Sequence, residues 1–311
     1  MKLDFKPITL EDKPIIEGYT KAWEMECSDL SFINLFIWGA NGKMEYAQLE
    51  DVLYIKLDYD GVPVYLWTPI PRYGVDVDYK KAVYVAIDYM KEIGTEPTLR
   101  SVWAPFKEKI EQSCPELFMK PLEIAWDYVY DRESLATLRG KKLHGKRNHI
   151  NKFMKNYPDF EYKKLDTTMI AECLDLYDEW SSHKDETTIE AYDEKTSVCL
   201  ALKNMDALGL TGGCILLEGQ IVAFTVGERL LPHMQLIHIE KANYEIEGLY
   251  PVINQQYVLH ECQGVTLVNR EEDMGIEGMR KAKRSYQPVK MIKKYFISTR
   301  ELKDDKGVWQ K

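Results

Sequence analysis

The stretch Gly212-Gly-Cys-Ile-Leu-Leu-Glu-Gly-Gln-Ile-Val-Ala-Phe-Thr-Val-Gly-Glu-Arg-Leu-Leu231 decides the reading of this chain. Two apolar strands, 212–217 and 220–231, flank Glu218-Gly219, the strongest hairpin signal in the sequence, because a two-residue loop ending in glycine suits a tight turn. Residues 234–240 read as a third strand, so the segment is an antiparallel meander. Downstream the pattern predicts a helix over 248–262, a strand over 265–269, a helix over 275–286 and one last strand over 290–298. Upstream lie a basic helix over 134–156, closed by Tyr157-Pro158, a strand over 160–165, and helices over 168–183 and 187–208.

The first half repeats this order loosely. Thr9 and Asp12 form a capping pair before a helix carrying Ile15, Ile16 and Tyr19, and a second helix over 31–38 ends near Asn41-Gly42. Strands over 44–49, 52–57 and 62–67 are joined by turns at Glu50-Asp51 and Asp60-Gly61. A helix capped by Asp78 runs to Ile93 and Gly94, followed by a strand over 99–103, a short helix over 106–112 and a strand over 124–130. Helices, meander, strand and helix, met twice, predict an α+β fold in two domains, 1–133 and 134–311. Each is a mixed, mostly antiparallel sheet flanked by helices, and the second carries the candidate active cleft.

Composition narrows the function. The chain has 311 residues, with 41 Lys+Arg against 50 Asp+Glu and a formal net charge of -9, which argues against a DNA-coating protein. With 45% hydrophobic and 29% charged residues it can bury real cores. Its longest mostly apolar run, 32–40, is far below the roughly 20 residues of a membrane span, and the N-terminus lacks a signal-peptide pattern. Cys27, Cys114, Cys173, Cys199, Cys214 and Cys262 are scattered without CxxC or metal-ligand spacing. The expectation is a cytoplasmic protein with reduced cysteines, no metal and no integral membrane contact.

Against the acidic background stand two basic runs. Residues 139–155 hold seven Lys/Arg and no acid, as do residues 279–294. Together they suggest a positive surface for polyphosphate or an RNA backbone, with Lys146 and Arg147 pointing toward a cleft that holds Lys283. Asn269, at the carboxyl end of a strand, precedes Asp273 and a helix start where backbone N–H groups can hold an acyl oxygen or phosphate, although Asp273 also suits a cap. Arg280 and Lys283 lie one turn apart. Glu228 continues the apolar face of Val222, Phe224 and Val226, where a half-buried carboxylate could act as a general base. His149, His238 and Trp180 are weaker candidates.

Three segments resemble the phosphatidylglycerol lysyltransferase C-terminal domain family: Leu138-Arg-Gly-Lys-Lys-Leu-His-Gly-Lys-Arg-Asn-His-Ile-Asn-Lys-Phe153; Asn269-Arg-Glu-Glu-Asp-Met-Gly-Ile-Glu-Gly-Met-Arg-Lys-Ala-Lys283 with Pro288; and Ser31-Phe-Ile-Asn-Leu-Phe-Ile-Trp38. That family is similar to the Fem-type transferases, with two GNAT-like domains in tandem. The resemblance implies transfer of an amino acid from aminoacyl-tRNA to an amine or hydroxyl, the acceptor being a small molecule, a peptide or a lipid headgroup. It implies no further cofactor. On this reading Arg139, Lys142, Lys146, Arg147, Arg280 and Lys283 bind donor phosphates, and Glu228, Asn269 and Asp273 form the catalytic set. An acyl-CoA-dependent N-acyltransferase is the alternative, disfavoured because 240–251, where this fold cradles pyrophosphate, has one glycine and three glutamates. A non-catalytic RNA- or protein-binding module on the same fold is a second alternative.

Overall fold

The computed structural model describes residues 2–40, 43–59, 62–182 and 189–301, without the side chains of 189–193. The turns expected at Asn41-Gly42 and Asp60-Gly61 lie outside the described residues, as do the helix boundaries expected at His183 and Thr187. The chain divides into two compact units, residues 1–126 with 292–311, and residues 127–291.

The first unit contains β1 (Lys6–Pro7), α1 (Lys13–Thr20), α2 (Phe32–Trp38), β2 (Met44–Leu49), β3 (Val52–Leu57), β4 (Tyr65–Trp67), β5 (Ile70–Pro71), α3 (Tyr79–Glu92), β6 (Thr98–Trp103), α4 (Ala104–Ser113) and β7 (Phe118–Pro121). Local chemistry sets its helix starts as the sequence suggests. Asp12 accepts from the backbone N–H and the hydroxyl of Thr9, both at 2.9 Å. Asp78 accepts from the N–H of Lys81 at 3.0 Å, and the stripe Ala82, Val83, Ala86, Ile87 and Met90 of α3 is buried at helical spacing.

The second unit contains β8 (Asp127–Asp131), α5 (Arg132–Thr137), α6 (His144–Asn156), β9 (Glu161–Lys164), α7 (Ile170–Ser181), α8 (Ile189–Lys203), α9 (Met205–Leu208), β10 (Thr211–Leu217), β11 (Gln220–Leu231), β12 (Met234–Ala242), α10 (Leu249–His260), β13 (Leu267–Asn269), α11 (Glu277–Ser285) and β14 (Lys290–Ile292). The last strand, β15 (Lys294–Ser298), returns to the first unit.

The same plan is present twice. The first sheet has the order β1-β2-β3-β4-β6-β15-β7, with β5 on β3; the second has β14-β8-β13-β12-β11-β10-β9. Each is an antiparallel meander whose last strand runs parallel to the next, β4 with β6 and β12 with β13. In each, a strand from the far end of the other half of the sequence is inserted next: β15 beside β6, and β8 beside β13.

Several boundaries differ from the sequence reading for this reason. The domain division falls at 126/127, because β8 pairs with β13 rather than with the first sheet. The single strand expected over 290–298 is two strands serving two sheets, with Lys293 between them. The long basic helix is broken: Leu138 and Gly140 take positive φ (49° and 95°), ending α5 before α6 begins. The second core packs α5, α6 and α10 on the sheet through Leu135, Leu143, Phe153, Leu249, Ile253 and Tyr257, all nearly or wholly buried. Each such side chain contributes about 1.5–3 kcal/mol by burial.

Candidate functional site

The second unit has a wedge at its centre. β12 and β13 pair only from Met234↔Leu267 to Leu236↔Asn269. Beyond that, Arg270 N donates to Tyr128 O and Glu271 O accepts from Tyr128 N, both at 3.0 Å, so this chain stays with β8. β12 meanwhile stays with β11 as far as Ala242. Two parallel strands that part expose backbone groups between them, and such openings receive ligands in mixed α/β sheets.

Where the strands begin to part, β12 carries a bulge. Val226 faces Ile239 and Gly227 faces Ile237, so His238 is the extra residue. Bulges re-aim a side chain, and this one turns His238 into a buried slot between two acids. Its Nε2 lies 3.1 Å from Glu228 Oε1 and its Nδ1 lies 3.1 Å from Glu271 Oε1. Burial alone would lower the pKa of the ring. The hydrogen bonds and charges of Glu228 and Glu271 outweigh it and lift the value to about 9, so the ring is an imidazolium at neutral pH. Both ring nitrogens are engaged by carboxylates, and among the described residues no group of His, Cys, Asp and Glu is arranged to hold a metal.

The turn after β13 is built by the two other residues expected to be catalytic. Asn269 is fully buried; its amide donates to Asp127 Oδ2 at 3.0 Å and its Oδ1 accepts from Glu271 N at 2.8 Å. That second bond holds Glu271 in a left-handed conformation, φ 55°, which aims its carboxylate at His238. Asp273, 1% exposed, accepts from Tyr128 OH at 2.6 Å, from Gly275 N at 2.9 Å, and from Arg280 Nε and Nη2 at 2.8 and 2.9 Å. Burial works against its ionisation, but the Arg280 and Tyr128 donors hold its carboxyl below the usual range. Asn269 and Asp273 thus bond to the backbone of the turn, and Glu228 meets His238.

The basic residues separate into two kinds. Arg139 and Lys142 are exposed on the turn before α6. The others are committed to the fold. Lys146 lies 4.2 Å from the Tyr286 ring centroid, with its affinity for the proton lowered by burial and by the charge of Arg270. Arg147 donates to the carbonyls of Leu138 and Gly140, bracing the break between α5 and α6 rather than reaching Lys283. Arg280 is held by Asp273, and Lys283 donates to the carbonyls of Arg270 and Glu272. Burial lowers the proton affinity of Lys283, opposed by the charges of Glu272 and Glu271. Lys294 belongs to the first unit, fully buried against Asp29 and Ser28. The two runs are thus not one array of free charges.

A second polar cluster, which carries no sequence signal, lies beside the parted strands. Arg270 Nη2 meets Glu240 Oε1 at 2.9 Å, Glu240 Oε2 accepts from Asn254 at 2.8 Å, and the guanidinium lies 4.8 Å from the Tyr286 ring centroid. Of the three glutamates assigned to the phosphate-loop position, Glu240 is therefore a strand residue facing Arg270, and only Glu245 and Glu247 stand before α10. Trp180 and Lys241 form another neighbourhood: the ammonium sits 3.4 Å from the indole centroid and 2.6 Å from Glu194, and Trp180 donates to Tyr250 OH at 2.9 Å. No spacing signal marks these residues, since they come from β12, α7, α8 and α10.

The turn before α10 is closed. Gly248 has φ 85°, and a Cβ there would lie 2.6 Å from the His149 carbonyl oxygen and 3.2 Å from Phe153 Cβ, so α6 packs directly on the turn. Glu247 pairs with Lys152 across the same contact.

Fold and wedge define a GNAT-type transferase architecture in tandem. Residues 21–298 match the family described as phosphatidylglycerol lysyltransferase, C-terminal, and the chain belongs to that family. It is similar to a conserved protein of unknown function from Bacteroides thetaiotaomicron, 35% identical with a TM-score of 0.84, covering 96% of this chain and 99% of that one. The fold is shared with L-PGS from Bacillus licheniformis, 15% identical, TM-score 0.66, covering 97% of this chain and 96% of that one. A tandem GNAT protein from the clavulanic acid biosynthesis pathway shares it as well, 10% identical, TM-score 0.51, covering 97% of this chain and all of the other. An uncharacterised protein of Mycoplasmoides gallisepticum is 27% identical over 179 residues, and the match spans 56% of its length. The fold is two tandem GNAT-like domains, in a family of transferases. No helix among the described residues is long and apolar enough to cross a membrane.

Proposed function

We propose that the second unit transfers an aminoacyl group from aminoacyl-tRNA to an amine or hydroxyl of a small molecule, a peptide or a lipid headgroup. The observation that carries this reading is the closed, acidic turn before α10. A pyrophosphate there would meet Glu245 and Glu247 and the carbonyl-packed backbone at Gly248, so the helix start is a poor cradle for CoA. Exposed Arg139 and Lys142 instead offer two cations to a polynucleotide backbone, in the cytoplasm where charged tRNA is found.

An aminoacyl ester is already activated, so the protein has to position the acceptor, receive its proton and stabilise the tetrahedral oxyanion. Glu228 is the proton acceptor in this account. Backbone N–H groups of the parted β12 would face the oxyanion, and Lys146 and Arg270 supply the positive field beside the wedge. The amine nitrogen bonds to the carbonyl carbon, its proton passes to the Glu228 carboxylate, and the ester C–O bond breaks as that proton moves to the departing ribose oxygen.

The test is a single-turnover assay with tRNA carrying a radiolabelled amino acid, presented with panels of amines, peptides and lipid headgroups. Appearance of label in an acceptor, abolished by Glu228→Gln, supports the reading. Binding of tRNA with no transfer to any acceptor would favour a non-catalytic module, and transfer from acyl-CoA alone would replace the donor.

A further inference from the structure

We propose that His238 is a positioning residue for this transfer: the β12 bulge sets its ring between Glu228 and Glu271, where it clamps the two carboxylates in place as an ionised pair at the wedge. The inference rests on the transferase reading, and it adds a role for a residue and a partner acid outside the catalytic set.

Each ring nitrogen lies 3.1 Å from a carboxylate oxygen, so a ring with both nitrogens protonated donates to both acids. In the proposed state the ring is a cation between two anions. The groups facing it are Glu228 from β11 and Glu271 from the turn after β13, with Lys283 of α11 acting electrostatically on Glu271. The side chain of His238 is 1% exposed, whereas those of Glu228 and Glu271 are 11% and 17% exposed, so the acids and not the ring are open to a substrate. Like charges brought this close resist joint ionisation unless a cation lies between them. Asn269 completes the clamp by fixing the backbone of Glu271.

During the transfer His238 neither gains nor loses a proton. It keeps Glu228 ionised until the acceptor amine delivers one, and it holds the carboxylate oriented while the proton moves on to the leaving oxygen. Removing the ring takes away the positive charge that bridges Glu228 and Glu271, which raises the pH at which Glu228 is ready to accept.

The experiment uses the full chain and has two arms. In the first, imidazole NMR resonances are followed with pH, and the His238 signal is assigned by its loss in His238→Gln. The ring should remain doubly protonated at pH 8, and a ring titrating near pH 6.5 overturns the clamp. In the second, the transfer rate is measured against pH for wild type, His238→Gln and Glu271→Gln. Both variants should lose about 10- to 100-fold in kcat with little change in KM for the donor. In His238→Gln the acidic limb should move up by about one pH unit, as expected when an ionised acid loses a neighbouring cation, whereas in Glu271→Gln, which removes the neighbouring anion and keeps the ring, it should move down. Glu271→Gln keeps the test open should His238→Gln fail to fold. Variants that transfer with the wild-type pH profile overturn the positioning role. If wild type gives the doubly protonated spectrum yet transfers to no acceptor, it is the transferase reading that has failed.

Discussion

Replacing Asp273 by asparagine separates a structural acid from a chemical one. In the native turn four donors converge on this carboxylate, two from Arg280, one from Tyr128 and one from Gly275 N–H. Asparagine keeps one acceptor oxygen for Gly275, but sets an amide against Arg280 or Tyr128. Hydrogen bonds to a charged group contribute about 1.5–3 kcal/mol each. Because the Arg280 side chain is 34% exposed and can rehydrate, part of the gross loss is recovered, and a net cost of about 3 kcal/mol follows. For a domain of this size that lowers Tm by about 6–12 °C. The pH dependence fixes the sign. The folded carboxyl titrates below the ordinary range, so its contribution is present above about pH 4, the unfolded value, and is lost as pH falls through the folded value. Urea unfolding at pH 7 and pH 3 should show a wide gap between wild type and Asp273→Asn at neutral pH that narrows in acid. An Asp273→Asn protein with wild-type stability and no transfer would refute this reasoning, since the residue would then act on substrate and not on the turn.

Other expectations follow from the same structure. His238 has its pKa raised from 6.5 to about 9, so its share of stability is complete below pH 6.5 and lost as pH rises through 9; unfolding free energy should fall by about 3 kcal/mol across that window, less in Glu271→Gln. Lys294→Ala should cost about 3–5 kcal/mol by leaving Asp29 with its buried partner removed, whereas the double change Lys294→Met with Asp29→Leu should restore much of it in chemical denaturation. Gly248→Ala should destabilise the second unit by about 2 kcal/mol or more, read by calorimetry, because a Cβ at φ 85° would meet the His149 carbonyl at 2.6 Å. Arg139→Ala with Lys142→Ala should flatten the salt dependence of tRNA binding by about 1.4–1.8 in the log–log slope, whereas Arg147→Ala should mainly loosen the α5–α6 break and lower Tm.

What the sequence made legible was local. The Glu218-Gly219 hairpin is present where its two-residue signal lies, and Asp12 and Asp78 cap their helices through short-range contacts that spacing alone encodes. The exchange of β8 and β15 was not legible, because strand partners 130 and more residues away leave no mark on the pattern of either strand. The candidate site shows the same divide. Glu228 was readable as an acid ending an apolar face. His238 looked unremarkable because its importance comes from one unpaired residue in the β11–β12 register, a bulge with no composition signature. Asn269 and Asp273 were readable as polar residues between a strand end and a helix start, yet polar residue type cannot distinguish a side chain facing substrate from one holding a backbone. Charge counts likewise do not show that Arg147 and Lys283 donate to carbonyl oxygens, or that Arg280 and Lys294 pair with Asp273 and Asp29.

The donor is the central claim, and its most direct measurement is isothermal titration of the full chain with aminoacyl-tRNA and with acetyl-CoA at two salt concentrations. The account expects saturable tRNA binding that weakens steeply as salt rises, in the manner of counterion release, with no measurable heat from acetyl-CoA. Micromolar acetyl-CoA binding with no tRNA binding at either salt would contradict it, and would mean that the acidic turn closed by Gly248 accepts a pyrophosphate after all.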